Sequence, residues 1–189
     1  MKLLEDHILR DGVIKPGGIL KVDSFLNHQI DPELMFEMGQ ELKRLYKDDN
    51  VTKVLTIESS GIAIAICTAY AIGCPMVFAK KSKSKNISDD VYAVEVPSFT
   101  HGNINTVVLS KEYLKPGDRV LIVDDFLATG AALAGLAEIV SQAGAVVVGA
   151  GIAIEKEFQG GGDLMRKRGM RVESLAKIAS MSGSTIEFC

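Results

Sequence analysis

Tryptophan is absent from the 189 residues, and cysteine and histidine occur only three times each. Cys67, Cys74 and Cys189 lack the paired spacing of a metal site, and an odd count does not make a disulfide framework. A reducing cytoplasm is the expected compartment. Positive charge is not in excess. The formal net charge is −3, which argues against a general affinity for nucleic acid. No apolar run reaches the ~20 residues that a membrane-spanning helix needs. The first residues, Met1-Lys2-Leu3-Leu4-Glu5-Asp6, bring acids too early for the apolar region of a signal peptide. Internal repeats and low-complexity tracts are missing. So are two nucleotide-binding fingerprints. No Gly-Lys-Ser/Thr closes a P-loop. Gly149-Ala150-Gly151 lies inside a strand pattern, with no third glycine and no following helix, so it does not make a dinucleotide site. A soluble α/β protein remains, of a length expected to form one domain over residues 1–189.

What the chain does have is concentrated in residues 120–133. Four apolar residues, Val120-Leu121-Ile122-Val123, read as a buried strand. Two carboxylates, Asp124 and Asp125, stand where that strand is expected to end. A loop of small residues follows, Ala128-Thr129-Gly130-Ala131-Ala132, and then a helical pattern from Leu133. Backbone N–H groups at a helix start, together with the helix dipole, favour an anion. The paired aspartates would repel one, so they need another partner, such as ribose hydroxyls or a cation. A sugar phosphate supplies all of these at once. Successive strand residues point to opposite faces, which predicts different jobs for the two carboxylates.

The rest of the chain alternates between helix and strand. Residues 2–10 read as a short helix, and Asp11-Gly12 and Pro16-Gly17-Gly18 as turns. Residues 19–22 are extended, and 23–30 are neither clean helix nor clean strand. Asp31-Pro32-Glu33 is a helix start, and Leu34, Met38, Leu42 and Leu45 give that helix an apolar face. A strand over 53–57, a turn at Glu58-Ser59-Ser60-Gly61, a buried helix over 62–72 and a strand over 76–79 predict a parallel sheet with crossover helices. Residues 80–90 break the rhythm, with Lys80, Lys81, Lys83 and Lys85 interleaved with serines. Strands over 91–96 and 106–109 form an inserted antiparallel ribbon around a loop. After the helix that Gly144 ends, 145–154 is a strand with Glu155-Lys156-Glu157 at its end. Gln159-Gly160-Gly161-Gly162 reads as flexible, Asp163 as the cap of a short basic helix, and 171–178 and 184–188 as final strands. Ligands of open α/β sheets bind at the C-terminal ends of parallel strands. Four loops fall at such ends: 58–61, 80–90, 124–132 and 155–156.

Residues 120–133 resemble the 5-phosphoribosyl-1-pyrophosphate (PRPP) signature of type I phosphoribosyltransferases, in which two acids follow an apolar strand and precede a small-Thr-Gly loop. The family's other loops occur in the expected order, so the resemblance covers nearly the whole chain. It implies a mainly parallel sheet flanked by helices, with a flexible loop, an antiparallel ribbon, and a small hood from about 1–32 and 155–189. It implies that Asp124 and Asp125 hold the ribose hydroxyls and serve catalysis. Ala128, Thr129, Gly130, Ala131 and Ala132 would hold the 5-phosphate. Glu58, Ser59, Ser60 and Gly61 would form the pyrophosphate loop, and Lys80–Asp90 the start of a mobile loop whose Lys81 meets pyrophosphate. Met1–Pro32, with Leu20 and Asn27, together with Glu155-Lys156-Glu157, looks most like members that act on xanthine. That likeness implies Leu20, Asn27 and Lys156 as base contacts, a cytoplasmic homodimer in purine salvage, and Mg²⁺ delivered with PRPP rather than held in a protein cage. A lysine donates and does not accept, which suits an oxopurine and rejects an adenine amino group. Two departures stand out. Ala128 occupies the position where many 6-oxopurine enzymes carry an aspartate and makes the motif closer to the adenine type, and Ser59 and Ser60 replace a basic residue. The alternatives are an adenine enzyme of the same family and a PRPP-sensing regulator, although no helix-turn-helix domain precedes Lys53.

Overall fold

The computed structural model describes residues 1–81, 90–97, 104–183 and 185–189. The chain opens with α1 (Lys2–Asp11) and a small hairpin, β1 (Val13–Lys15) and β2 (Ile19–Lys21). Its turn holds Gly17 and Gly18 at φ +83° and +73°, a backbone region that glycine enters at no steric cost. A single wide helical turn, Asp23–Asn27, leads to α2 (Pro32–Leu45). Asp31 starts that helix as expected, accepting the N–H groups of Glu33 and Leu34 at 3.1 Å each. Then come β3 (Lys53–Ile57), α3 (Gly61–Ile72), β4 (Met76–Ala79), the ribbon β5 (Val91–Pro97) and β6 (Ile104–Ser110), and β7 (Arg119–Leu127). The chain closes with α4 (Ala131–Gln142), β8 (Val146–Lys156), α5 (Gly161–Lys167), β9 (Val172–Ser182) and β10 (Thr185–Phe188).

The main sheet runs β10-β9-β8-β7-β3-β4 and is parallel except for the edge strand β10. Strand β7 lies inside it and sorts its side chains by alternation. Leu121 and Val123 join a core with α1, α2 and α3, and Val120 and Ile122 join a second core with α4. The ribbon packs on α4. A Cβ at Gly135 would stand 2.4 Å from Val96 Cγ2, so any larger residue there would push the ribbon's valine aside. No helix of the described residues is long and apolar enough to cross a membrane.

Four expectations need correction. Strand β7 does not end before the aspartates. It runs to Leu127, because β8 extends alongside and pairs Asp124 with Ile152 and Leu127 with Glu155. The two polar side chains interrupt the apolar pattern without interrupting the backbone ladder. Residues 159–162 are not a free link, since a tight turn (Glu157–Gln159) passes directly into α5 at Gly161. Asp163 therefore sits inside the first turn of α5 and makes no cap bond. Helix α3 is not buried all round, for Ile66 is 52 % and Tyr70 77 % exposed. Most of the lysine–serine segment (82–89) and the ribbon loop (98–103) lie outside the described residues.

Candidate active site

The aspartates look into a cavity of about 200 Å³ at the C-terminal ends of β3 and β7. Glu58 and Ser60 line it from the β3–α3 loop, Lys81 from the end of β4, and Asp124 through Leu133 from β7 and the start of α4. Val96, Pro97, Asn105 and Val107 of the ribbon form a further wall.

Asp124 and Asp125 are each only 8 % exposed. Burial, and then the neighbouring Asp125 charge, push the Asp124 carboxyl well above the usual carboxylate range, with Lys81 opposing weakly. Asp124 Oδ1 accepts the N–H of Asp125 at 3.0 Å. The β3–α3 loop presses on the same carboxylate. A Cβ at Gly61 would lie 2.8 Å from Asp124 Oδ1 and 2.2 Å from Thr56 Oγ1, so glycine is required. Thr56 Oγ1 is buried there with no hydrogen-bond partner among the described residues. The Glu58–Ser59 peptide is cis. Glu58 Oε1 accepts the N–H of Lys81 at 2.7 Å, tying the loop to the lysine.

Along the same cavity, Gly130 turns the chain at φ +86° into α4. The first amides of that helix have no intrahelical acceptor, and Thr129 is exposed beside them. The cavity thus has a carboxylate side and an N–H side, which suits a molecule with hydroxyls at one end and an anion at the other. Among the described residues, no three His, Cys, Asp or Glu side chains converge as a metal site.

Lys156 approaches from β8. Its ammonium donates to the Gly18 carbonyl at 3.0 Å and stands 5.4 Å from the centre of the Phe126 ring, which lines the cavity. Burial lowers its pKa. Its neighbour Glu155 is fully buried and held by Arg166 at 2.8 and 2.6 Å and by Ser174 at 2.5 Å. Burial works against the Glu155 charge, but these partners outweigh it and keep the carboxyl below its ordinary pKa.

A family profile described as the phosphoribosyl transferase domain matches residues 28–179. The chain belongs to the phosphoribosyltransferase family. Among curated phosphoribosyltransferases, the xanthine phosphoribosyltransferase of Lachnoclostridium phytofermentans is 54 % identical over 96 % of this chain and 94 % of its own. That of Ligilactobacillus salivarius is 50 % identical over 100 % and 98 %. Among solved structures, the adenine phosphoribosyltransferase of Rhodothermus marinus superposes with a TM-score of 0.75 at 27 % identity, covering 93 % of this chain and 98 % of that one. The adenine phosphoribosyltransferase of Giardia lamblia, complexed with 9-deazaadenine, gives 0.77 at 24 % identity over 92 % and 97 %, a likeness of fold.

Within this phosphoribosyltransferase, the residues singled out in the sequence fall into two groups. Asp124, Asp125, Ala128, Thr129, Gly130, Ala131, Ala132, Ser60 and Lys81 all line one cavity. Ser59 is exposed, and Gly61 is buried against Asp124. Leu20 is buried in the core, Asn27 is half-buried at the end of the wide turn, and Lys156 lies behind Phe126; none of these three lines the cavity. Sequence reasoning missed Phe126, Thr56 and the ribbon wall. Phe126 sits between the aspartates and the small-residue loop and was given no role of its own. Nothing in Val96 or Val107 distinguishes a cavity wall from a core residue.

Proposed function

We propose that this phosphoribosyltransferase transfers the ribose 5-phosphate of PRPP to xanthine, releasing pyrophosphate and forming xanthosine 5′-phosphate in cytoplasmic purine salvage. The observation that carries the reading is the cavity in which paired buried carboxylates face a small-residue loop at a helix start. It occurs in a chain 54 % identical to a protein named xanthine phosphoribosyltransferase.

The roles follow from chemistry. Asp124 and Asp125 take the ribose hydroxyls. Ala128, Thr129, Gly130, Ala131 and Ala132 cradle the 5-phosphate with backbone N–H groups and the Thr129 hydroxyl. Ser59, Ser60 and Gly61, with Lys81, meet the pyrophosphate. Mg²⁺ carried by PRPP would supply positive charge beside the leaving pyrophosphate. As C1 of the ribose departs with positive character, the aspartates stand where that charge develops, and catalysis consists of positioning plus electrostatics. Leu20, Asn27 and Lys156 form the base side of the site, under a hood built from about 1–32 and 155–189. Lys156, a donor without acceptor capacity, selects a carbonyl or anionic oxopurine.

Ala128 offers no group to manage a base proton, so the base must supply its own ionised form. The rate is therefore expected to follow the ionised fraction of xanthine, and a flat pH profile across the pKa of xanthine would count against this. A screen of xanthine, guanine, hypoxanthine and adenine with PRPP tests the whole reading. Preferred turnover of xanthine is expected. Preferred turnover of adenine would transfer the reading to that base, and no turnover with any base would leave a sensor.

We further propose a homodimer. Helix α3 carries an apolar outer face, with Ile66 and Tyr70 exposed and the Tyr70 ring 6.4 Å from that of Phe36 on α2. A contiguous apolar face of this kind marks an interaction surface.

A further inference from the structure

Gly160, Gly161 and Gly162 look interchangeable in the sequence, yet each meets a different requirement. Gly160 turns at φ +74°. The Gly161 N–H donates to the Ala128 carbonyl at 3.0 Å. A Cβ on Gly161 would stand 2.3 Å from that oxygen and 2.5 Å from Gly130 N. Both are backbone atoms of the loop before α4, so they cannot swing aside as a side chain can. A Cβ on Gly162 would instead stand 1.9 Å from Glu155 Oε1 and 2.7 Å from Arg166 Nη1. Arg166 grips that carboxylate with both terminal nitrogens, and Glu155 immediately precedes Lys156 on β8. One short helix thus touches the 128–130 loop with one glycine and the root of Lys156 with the next.

The Glu155–Arg166 pair makes this joint stiff. A buried carboxylate needs a partner that satisfies its charge and geometry together. The planar guanidinium does so bidentately, whereas a lysine offers only a point charge. Close-packed backbone transmits such a constraint because it has no slack to absorb it.

We propose that α5 is the spacer between the sugar-phosphate and base subsites. Gly161 is a positioning residue for the 128–130 loop. Arg166, acting through Glu155, is a positioning residue for Lys156. Neither touches substrate. The inference rests on the assignment of that loop to the 5-phosphate and of Lys156 to the base.

The test compares Gly161→Ala, Gly162→Ala and Arg166→Lys with the wild-type enzyme in steady-state kinetics for PRPP and xanthine. Calorimetric titration of PRPP with Mg²⁺, without base, reads the phosphate side alone. Gly161→Ala is expected to raise the KM and Kd for PRPP by roughly 10-fold or more, with the KM for xanthine changed less than about twofold. Gly162→Ala and Arg166→Lys are expected to do the reverse, raising the KM for xanthine by roughly fivefold or more. If Gly162→Ala does not fold, Arg166→Lys reads the base side. Equal losses for both substrates in the Gly161 and base-side variants, or lower kcat with both KM values unchanged, would overturn the proposal and leave α5 a stability element only. A wild-type enzyme that binds PRPP but turns over a different base would refute the xanthine assignment. The same variants would then be compared with that base.

Discussion

Asp124 is a buried carboxyl beside a second buried carboxyl, an arrangement that opposes folding whenever both are charged. Its folded pKa lies above the ordinary value because of burial and the Asp125 charge. The folded state therefore holds a proton that the unfolded state has already released. Stability contributed by this group falls as pH rises from the unfolded pKa through the raised one. Asp124→Asn should remove that slope. It should raise the Tm of the free protein near neutral pH by roughly 2–4 °C, the change that ~1 kcal/mol makes at this size, and it should lower kcat/KM strongly. Calorimetry across pH, paired with activity, checks both. A variant that is less stable at neutral pH would refute the account. Lys156 is the other residue with a stake in burial. Lys156→Gln removes a charged donor worth ~1.5–3 kcal/mol, or roughly 10- to 100-fold in kcat/KM for xanthine. PRPP affinity, measured by titration, should stay unchanged. The acid pair was legible in the sequence because charge directly after a buried apolar strand needs a reason. Which of the two is buried against Gly61 and Thr56 was not legible, since those residues lie far away along the chain.

At the scale of elements, the ribbon matters as much as the strands of the sheet. Strand β5 of the ribbon leans on α4, where Gly135 leaves room for Val96, and Gln142 Nε2 donates to the Ala93 carbonyl at 3.1 Å. Val96 also lines the cavity, so the seat of the ribbon determines the width of the site. Gly135→Ala places a methyl against Val96 and is expected to cost about 1–3 kcal/mol by overpacking, despite its better helix propensity. Adding Val96→Ala should restore most of that loss, as a double-mutant cycle in denaturant melts would measure. Additive losses would show that the contact does not matter. The two strands of the ribbon were readable in the sequence, as was α2 from Asp31, Pro32 and its apolar face. That the ribbon would wall the cavity was not readable, because its apolar residues pack against a helix from a different part of the chain. The glycine run misled for a related reason. Three glycines suggest freedom when neighbours are unknown, whereas here they are small because the neighbours are close.

For the whole molecule, the apolar outer face of α3 is the largest departure from expectation. A helix this apolar was read as buried, yet Tyr70 stands 77 % exposed in the single chain. The proposed dimer would bury this face against a second copy and so reconcile the two observations. Tyr70→Glu is expected to shift sedimentation at micromolar concentration from dimer to monomer with little change in the far-ultraviolet spectrum. A wild-type monomer would refute the proposed dimer, and an unshifted dimer would place its interface elsewhere. By itself the sequence determined the order of helices and strands, the parallel sheet, the acid pair with its small-residue loop, and hence the family. Each of these is written in spacing along one segment, where periodicity and turn chemistry act locally. Only the tertiary structure decided that β7 continues past its aspartates, that the ribbon closes the cavity, and that Gly161 and Gly162 serve different loops. Those outcomes depend on which distant backbone packs against which, and a pattern within one element carries no record of its neighbours.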